Sequence, residues 1–502
     1  MTLQIDMSRE EELTVLIEAL FDWIESETPG LLKYGEVNFR TILERYFYFS
    51  SIITPGSLKP LLDATALWYD NIEMGHLKSS YKQRSQKIPA GSRVRAIHYL
   101  RVLSNLSRLV IANSITRLFR LNARKVLPSD FRPVAFFAFS DRFVYFFKDL
   151  VTQIDPEKCI FLTSNGLVSN QVVSAMKAQL AKPQFLSIEW GKVKINARHP
   201  LFLPYLFALR KYAMSLAMLA QNDPKVVIFA EGTSMEDESM ALAAKSLKIP
   251  TIRIQSGRAG ELHSGYRRMS FDKMLCWGEG FVERFRTYSP RPAYYSTGSP
   301  LLDEVSDKLE FVHENQRTIT FFTQPISSRI NFNDYQQLVN LAECLLARHE
   351  DIIVLIRKHP VDTALKFDEL VCKYGTRVSM MNIDSHSLAD VLKRSAVAIG
   401  FYSTTLSEAA AYGVIPIILK LKEQHSVFPY PEKYGAAIVA NNLNEALMSV
   451  SQILYQPETT QDIKKNMRKF SLKYFGPRDG LAMKRILKLI NQTIENGSIL
   501  KS

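Results

Sequence analysis

The chain has 502 residues, 46% apolar and 23% charged, with a net charge of +13. That length allows about three domain-sized units around a large core, and the composition is that of a soluble globular protein. The excess of positive charge is either a solvated basic surface or the mark of an anionic partner; with no zinc-finger or RNP signature, nucleic acid is set aside in favour of anionic lipid or a charged sugar polymer.

The N-terminus, MTLQIDMSREEELT, is acidic and lacks the apolar region of a signal peptide. No apolar run reaches the ~20 residues that span a bilayer, so a cytoplasmic location is expected. Cys159, Cys276, Cys344 and Cys372 are far apart and form no CxxC, and they read as reduced core residues. Residues 1–125 read as wholly helical, with apolar residues at three-to-four spacing in Glu10–Ile24, Val37–Ile53 and Val94–Leu121. In and beside the third segment stand Arg93, Arg95, Arg101, Arg108, Arg117, Arg120, Arg124 and Lys125. Such a helix packs on the next domain or rests on an anionic membrane.

From 126 to 310 the period changes. Val134–Phe139, Cys159–Thr163, Phe185–Glu189, Val226–Ala230, Thr251–Gln255 and Lys273–Trp277 read as strands, with helical segments such as Asp141–Ile154 and Glu236–Leu247 between most of them. A second α/β unit runs from 311 to 455, with strands at Thr318–Phe322, Ile352–Ile356, Val397–Ile399, Ile415–Leu419 and Ala437–Ala440. Residues 456–502 are helical again. Short apolar runs alternating with helices mark buried parallel strands. Two such units in tandem imply an α/β protein of two facing Rossmann-like domains behind an all-helical N-terminal region.

Ligands of open parallel sheets sit outside the carboxyl ends of the strands. Arg357, Lys358 and His359 follow one strand. Ser403, Thr404 and Thr405 follow another and open a helix carrying Glu408. Gln324 follows a third, with Ser327, Ser328 and Arg329 just beyond. Cations, an imidazole, hydroxyls and a helix start together describe a phosphate site. Pro360 simply ending a strand, Thr405 merely capping its helix and Gln324 lying on a surface loop are the plainer alternatives. Glu231-Gly232 follows the Val226–Ala230 strand, where it is either a functional acid or a helix cap. No D-x-D, HExxH or Cys/His cluster is present, so no metal is expected. GxSxG and a Walker loop are also absent, so hydrolase and NTPase readings lack support.

The segment KIPTIRIQSGRAGELHSGYRR, then FDKMLCWGEGFVERF and STGSPLLDEV, resembles bacterial surface-carbohydrate biosynthesis proteins. These are GT-B-fold enzymes of the capsule, lipopolysaccharide and CDP-glycerol transferase type. Gln255, Gly257, His263, Gly265, Tyr266, Trp277, Gly278, Gly298, Pro300 and Asp303 carry the likeness, with TQP at 323–325, KHP at 358–360 and IGFYSTTLSEAAAYGVIP further on. It spans roughly residues 130 to 455. The family's Gln-His-Gly is Gln255-Ser256-Gly257 here, which leaves only a hydroxyl at the middle position. His359-Pro360 is similar to the HP motif of bacterial sialyltransferases, and Glu231-Gly232 to their acidic-Gly motif.

The resemblance implies a metal-independent glycosyltransferase that passes a sugar from a nucleotide donor (CMP-, CDP- or UDP-linked) to a surface polysaccharide or lipid-linked glycan. It implies no further cofactor. In that reading Glu231 is the general base and His359 supports the leaving phosphate. Arg357, Lys358, Ser403, Thr404, Thr405, Glu408, Gln324 and His263 contact the donor, Glu408 through its ribose. Peripheral contact with the inner face of an anionic plasma membrane is expected. A nucleotide-sugar 2-epimerase and a non-catalytic assembly protein, the latter motivated by Ser256, are the alternatives.

Overall fold

The computed structural model describes residues 9–53, 132–163, 167–181, 188–195, 199, 201–257, 262–303, 317–326, 330–359, 362, 367–382, 385–422 and 428–499. Helix Arg9–Glu27 leads into a short antiparallel hairpin, β1 (Lys33–Tyr34) and β2 (Val37–Asn38), and then helix Arg40–Ile53. The N-terminal region is therefore not wholly helical. Gly35 turns at φ +59, a left-handed conformation that closes the hairpin, and the helix expected from Val37 begins only at Arg40. The basic segment Val94–Leu121 lies outside the described residues, as do Ser327, Ser328 and Arg329.

The first sheet has seven parallel strands: β3 (Val134–Phe137), β4 (Cys159–Leu162), β5 (Gln179–Leu180), β6 (Val226–Ala230), β7 (Thr251–Ile254), β8 (Lys273–Cys276) and β9 (Ala293–Ser296), in the order β5-β4-β3-β6-β7-β8-β9. The second has six, also parallel: β10 (Thr318–Phe322), β11 (Ile353–Arg357), β12 (Val378–Met380), β13 (Val397–Gly400), β14 (Ile415–Leu419) and β15 (Ile438–Ala440), in the order β12-β11-β10-β13-β14-β15. Every residue of β3, β4, β6, β7, β13 and β14 is buried, as strands covered by helices on both faces require, and all but β7, with its Thr251 and Arg253, are apolar runs. These are two facing Rossmann-like units of a GT-B architecture. Their strand order reverses between β3 and β6 in one unit and between β10 and β13 in the other. Those reversals are where ligands of doubly wound sheets bind.

Three strands of these sheets, β5, β9 and β12, escaped the sequence pattern. β5 has only two residues, and β9 is an edge strand with no fully buried position. Residues 185–187 of the strand expected at Phe185–Glu189 lie outside the described residues, and Ile188 and Glu189 are not in a strand. The single helix expected over Asp141–Ile154 is broken at Phe147 into Asp141–Phe146 and Lys148–Ile154. The cysteine reading is corrected for two of the four. Cys159 and Cys276 are buried, but Cys344 and Cys372 sit on outward faces of their helices. Burial pushes the Cys159 thiol up to about 12.

The N-terminal helices are part of the first unit. Phe39 is fully buried, with ring centroids 5.4 Å from Tyr205 and 5.3 Å from Tyr212 of the long helix Phe202–Asn222. At the other end of the chain, helix Gln461–Phe475 packs on helix Glu279–Tyr288 of the first unit and helix Thr404–Tyr412 of the second. Gly278 and Gly280 leave no room for a Cβ beneath Lys473 and Tyr474. Helix Ala482–Ile499 then returns to the first sheet, where it packs on β6 and buries Ile486 and Ile490 in the same apolar cluster as Val226 and Ile228. Asp303 accepts hydrogen bonds at its start from the Ala482 and Met483 amides, at 2.9 and 2.8 Å. Among the described residues no helix is long and apolar enough to cross a membrane.

Candidate active site

The second unit assembles most of the expected donor residues at its strand reversal. β13 ends in Gly400, where a Cβ would stand 3.1 Å from the Phe322 carbonyl oxygen at the end of β10. The lack of a side chain lets these two strand ends approach. Directly after them the Tyr402 amide donates to Gln324 Oε1 at 3.2 Å, tying the two following loops together. Ser403 caps helix Thr404–Tyr412: its Oγ accepts from the Thr405 amide at 3.2 Å and donates to Thr405 Oγ1 at 2.9 Å. Thr404 is exposed at the mouth of this helix, and Glu408 is half-buried one turn on. A capped helix start at a topological switch point is suited to an anion.

β11 lies on the other side of β10, and its carboxyl end holds Arg357, Lys358 and His359. The two cations are already engaged. Arg357 Nη1 donates to the His386 carbonyl at 2.7 Å, and Lys358 Nζ is 3.7 Å from Asp368 Oδ1. Burial lowers the pKa of Arg357. His359 is exposed while its backbone is held in a closed ring. Its amide donates to Thr323 Oγ1 at 3.2 Å, and its carbonyl accepts from the Asp362 amide at 2.9 Å. Thr323 Oγ1 in turn donates to Asp362 Oδ2, which also accepts from Tyr335 OH at 3.0 Å. His359-Pro360 is the part of this ring that the sequence pattern marks. The acid two positions beyond the proline was a readable signal; Tyr335, on a separate helix, was not.

In the first unit, Glu231 and Gly232 follow β6, next to its strand reversal. Both take left-handed backbone conformations, at φ +61 and +64. A non-glycine residue there costs on the order of 1 kcal/mol and persists only when its surroundings impose it. The surroundings are on view. The Glu231 amide donates to the Ile254 carbonyl at 3.3 Å, and Arg45 Nη1 donates to the carbonyls of Gly232 and Ser234 at 3.2 and 3.1 Å. Arg45 Nη2 lies 2.7 Å from Glu238 Oε2, with both side chains fully buried. Ser234 and Asp237 form a reciprocal capping box at the start of helix Met235–Ser246. The cap is therefore supplied by Ser234, and Glu231, half-buried, stands outside it.

Beneath Gly232 lies Arg253, a buried arginine within β7. Its guanidinium carbon is 4.7 Å from the Tyr266 ring centroid and 5.8 Å from that of Phe271. Its Nε has no hydrogen-bond partner among the described residues. Burial lowers its pKa. An arginine inside the buried run TIRI was the available sequence signal for this residue.

His263 belongs to this unit, apart from the other expected donor residues. Its ring stacks on Tyr48 at 4.6 Å and 12°, and Nδ1 accepts from the Gly265 amide at 3.0 Å. Burial, then Arg253 and Arg45, push its pKa down to about 3. The imidazole is neutral at physiological pH and offers only Nε2–H. Gln255 braces two loops: Oε1 accepts from the Trp277 amide and its carbonyl from Trp277 Nε1, both at 3.0 Å. Ser256, which replaces the histidine of the resembling family, keeps a buried Oγ with no hydrogen-bond partner among the described residues.

No family model matches the chain, and no curated protein matches it. Solved structures do. A protein assigned as a UDP-N-acetylglucosamine 2-epimerase from Listeria monocytogenes aligns over 72% of this chain and 96% of its own, with 14% identity and a TM-score of 0.50. The wall teichoic acid polymerase TagF aligns over 80% of this chain and 98% of its own, at 12% identity and a TM-score of 0.48. The UDP-GlcNAc 2-epimerase from Neisseria meningitidis aligns over 72% and 99%, at 13% identity and a TM-score of 0.47. At such identities the likeness concerns the fold.

Proposed function

We propose that this protein is a GT-B glycosyltransferase that moves a sugar from a nucleotide-activated donor to a surface polysaccharide or lipid-linked glycan. The observation that carries the reading is the Glu231-Gly232 elbow. It is a carboxylate on a strained turn at the carboxyl end of the first sheet, held there by a buried arginine from the N-terminal helices. In the reaction an acceptor hydroxyl oxygen attacks the anomeric carbon, the bond from that carbon to the donor phosphate oxygen breaks, and Glu231 takes the hydroxyl proton. Negative charge grows on the departing phosphate. The helix start at Thr404, the hydroxyls of Ser403 and Thr405 and the exposed imidazole of His359 are suited to hold it. Glu408, one turn along the same helix, can accept both hydroxyls of a ribose. Arg357 and Lys358 shape the loop through His386 and Asp368 and add positive field. With cations and helix ends in these roles, turnover is expected to survive excess chelator.

The net charge and the basic residues between Arg93 and Lys125 support an acceptor met at the inner face of an anionic membrane. The test is incubation with CMP-, CDP-, UDP- and GDP-sugars, with and without lipid-linked glycan acceptors. Nucleotide released only when acceptor is present supports transfer. A sugar epimerised without acceptor would instead make the protein a 2-epimerase. Neither product, with no nucleotide bound, would make it a non-catalytic assembly protein.

A further inference from the structure

A cavity of about 600 Å³ lies between the N-terminal segment and the first unit. Its volume is in the range of small-molecule sites. One wall is Glu36 to Thr41, from the hairpin and the start of helix Arg40–Ile53. The other is the end of helix Met235–Ser246 with the loops before β8 and β9. Those loops enter the strands at their amino ends. The cavity is thus at the opposite end of the sheet from Glu231, and the transfer chemistry does not use it.

The lining has an unusual balance. Val37, Leu242, Met269 and Pro290 give it apolar walls, and Arg40, Lys245, Arg268 and Arg291 give it cations. Its neutral polar groups are already engaged. Asn38 donates to Glu25 at 2.6 Å and accepts from the Arg40 amide at 2.9 Å. Thr41 donates to Glu238 at 2.8 Å, and Ser270 donates to the same carboxylate. Ser246 donates to the Leu242 carbonyl at 3.0 Å and accepts from Tyr212 OH at 2.9 Å, and Ser289 accepts from the Met269 amide at 2.8 Å.

The cations differ in commitment. Arg40 is spent on Glu44, Glu25 and Asp22, each at 2.7 Å. Arg268 reaches Glu44 at 2.8 Å and Asp22 at 3.7 Å but remains 38% exposed. Lys245 and Arg291 are exposed and have no acidic partner among the described residues. Glu36, exposed at the hairpin, is the one acid of the lining. A sugar or nucleoside would bring hydroxyls and amides that find few partners here, and burying them unpaired is costly. An anionic head group would meet Lys245, Arg291 and the exposed part of Arg268, and an apolar body would meet the walls.

We propose that this cavity is a second ligand site, distinct from the transfer site, and that it takes an amphiphilic anion: a compact apolar body bearing one phosphate or carboxylate. The proposal stands independently of the transfer reading. Because the ligand would touch both walls, it would also clamp the N-terminal segment onto the first unit and raise the unfolding temperature.

The test is calorimetric titration of the full chain with decyl phosphate below its micelle-forming concentration, beside inorganic phosphate and decanol. Decyl phosphate is expected to bind saturably at one site per chain, about tenfold or more tighter than either fragment. The double variant Lys245→Glu/Arg291→Glu, at exposed positions outside the transfer site, is expected to weaken it by about tenfold or more with an unchanged circular dichroism spectrum. No saturable binding, equal binding of inorganic phosphate, or full affinity in the double variant would each overturn the proposal. Vesicles containing phosphatidylglycerol separate the sources. Displacement of the chain from them by decyl phosphate assigns the site to a lipid head group, and no displacement assigns it to a free amphiphile.

Discussion

Replacing Arg45 by methionine tests the idea that the N-terminal helices build the acceptor site. In the native protein Arg45 Nη2 and Glu238 Oε2 are 2.7 Å apart with no exposure of either side chain. At an effective dielectric near 20, unit charges at that separation attract by about 6 kcal/mol, against which both desolvation costs are set. Methionine keeps much of the volume but leaves the Glu238 carboxylate, among the described residues, with only the hydroxyls of Thr41 and Ser270. It also removes the donor to the carbonyls of Gly232 and Ser234. Breaking one side of a buried pair costs about 3–5 kcal/mol. The assay is urea unfolding followed by circular dichroism, reading the transition that includes the first unit. Arg45→Met/Glu238→Leu should recover part of the loss, because no unpaired charge is left. If turnover can be measured, it should fall in the single variant by more than the folded fraction does, because the Glu231 turn loses its tether. A loss below about 1 kcal/mol in the single variant would refute the reasoning.

Four further outcomes are expected. His359→Ala should keep the fold, since the side chain is exposed, and should lower turnover by about 10²–10³, read from nucleotide release by the purified variant. Asp362→Ala should open the ring that holds the His359 backbone and lower turnover by roughly ten- to a hundredfold, with the His359→Ala/Asp362→Ala double variant no worse than His359→Ala alone. Gly232→Ala would put a Cβ 2.9 Å from Arg253 Cδ at φ +64, and should lower stability by about 1–3 kcal/mol in thermal unfolding. Burial pushes the carboxyls of Glu44 and Asp237 up to about 7, against the pull of Arg268 and Arg40 on the first and the Ser234 hydrogen bonds on the second. Both bind protons more tightly when folded, so their contribution is complete below about pH 4 and is lost as pH rises through 7; stability measured in urea should fall over that window, and Asp237→Asn should flatten the slope.

The sequence by itself determined the two sheets and what stands at their carboxyl ends. A run such as VVIFA or VAIG is apolar throughout because both faces of its strand are covered, and the residue after it is then necessarily at the sheet's edge. Glu231, Arg357, Lys358, His359 and Ser403 could be placed by that local rule. Tertiary structure decided which strand ends meet. Gln324 and Tyr402 come together only because β10 and β13 are neighbours at the reversal, which no local pattern encodes. It also turned Arg357 and Lys358 toward His386 and Asp368, and it made His263 a neutral, stacked ring by surrounding it with Tyr48, Phe49 and Tyr266. The tether of the Glu231 turn is the extreme case. Arg45 reads as one more cation on an amphipathic helix, and Glu238 as the solvated start of another. Thr41, on the turn before Arg45, meets Glu238 across 197 residues of sequence. Burial and pairing belong to both partners jointly, so neither can be read from its own neighbours in the chain.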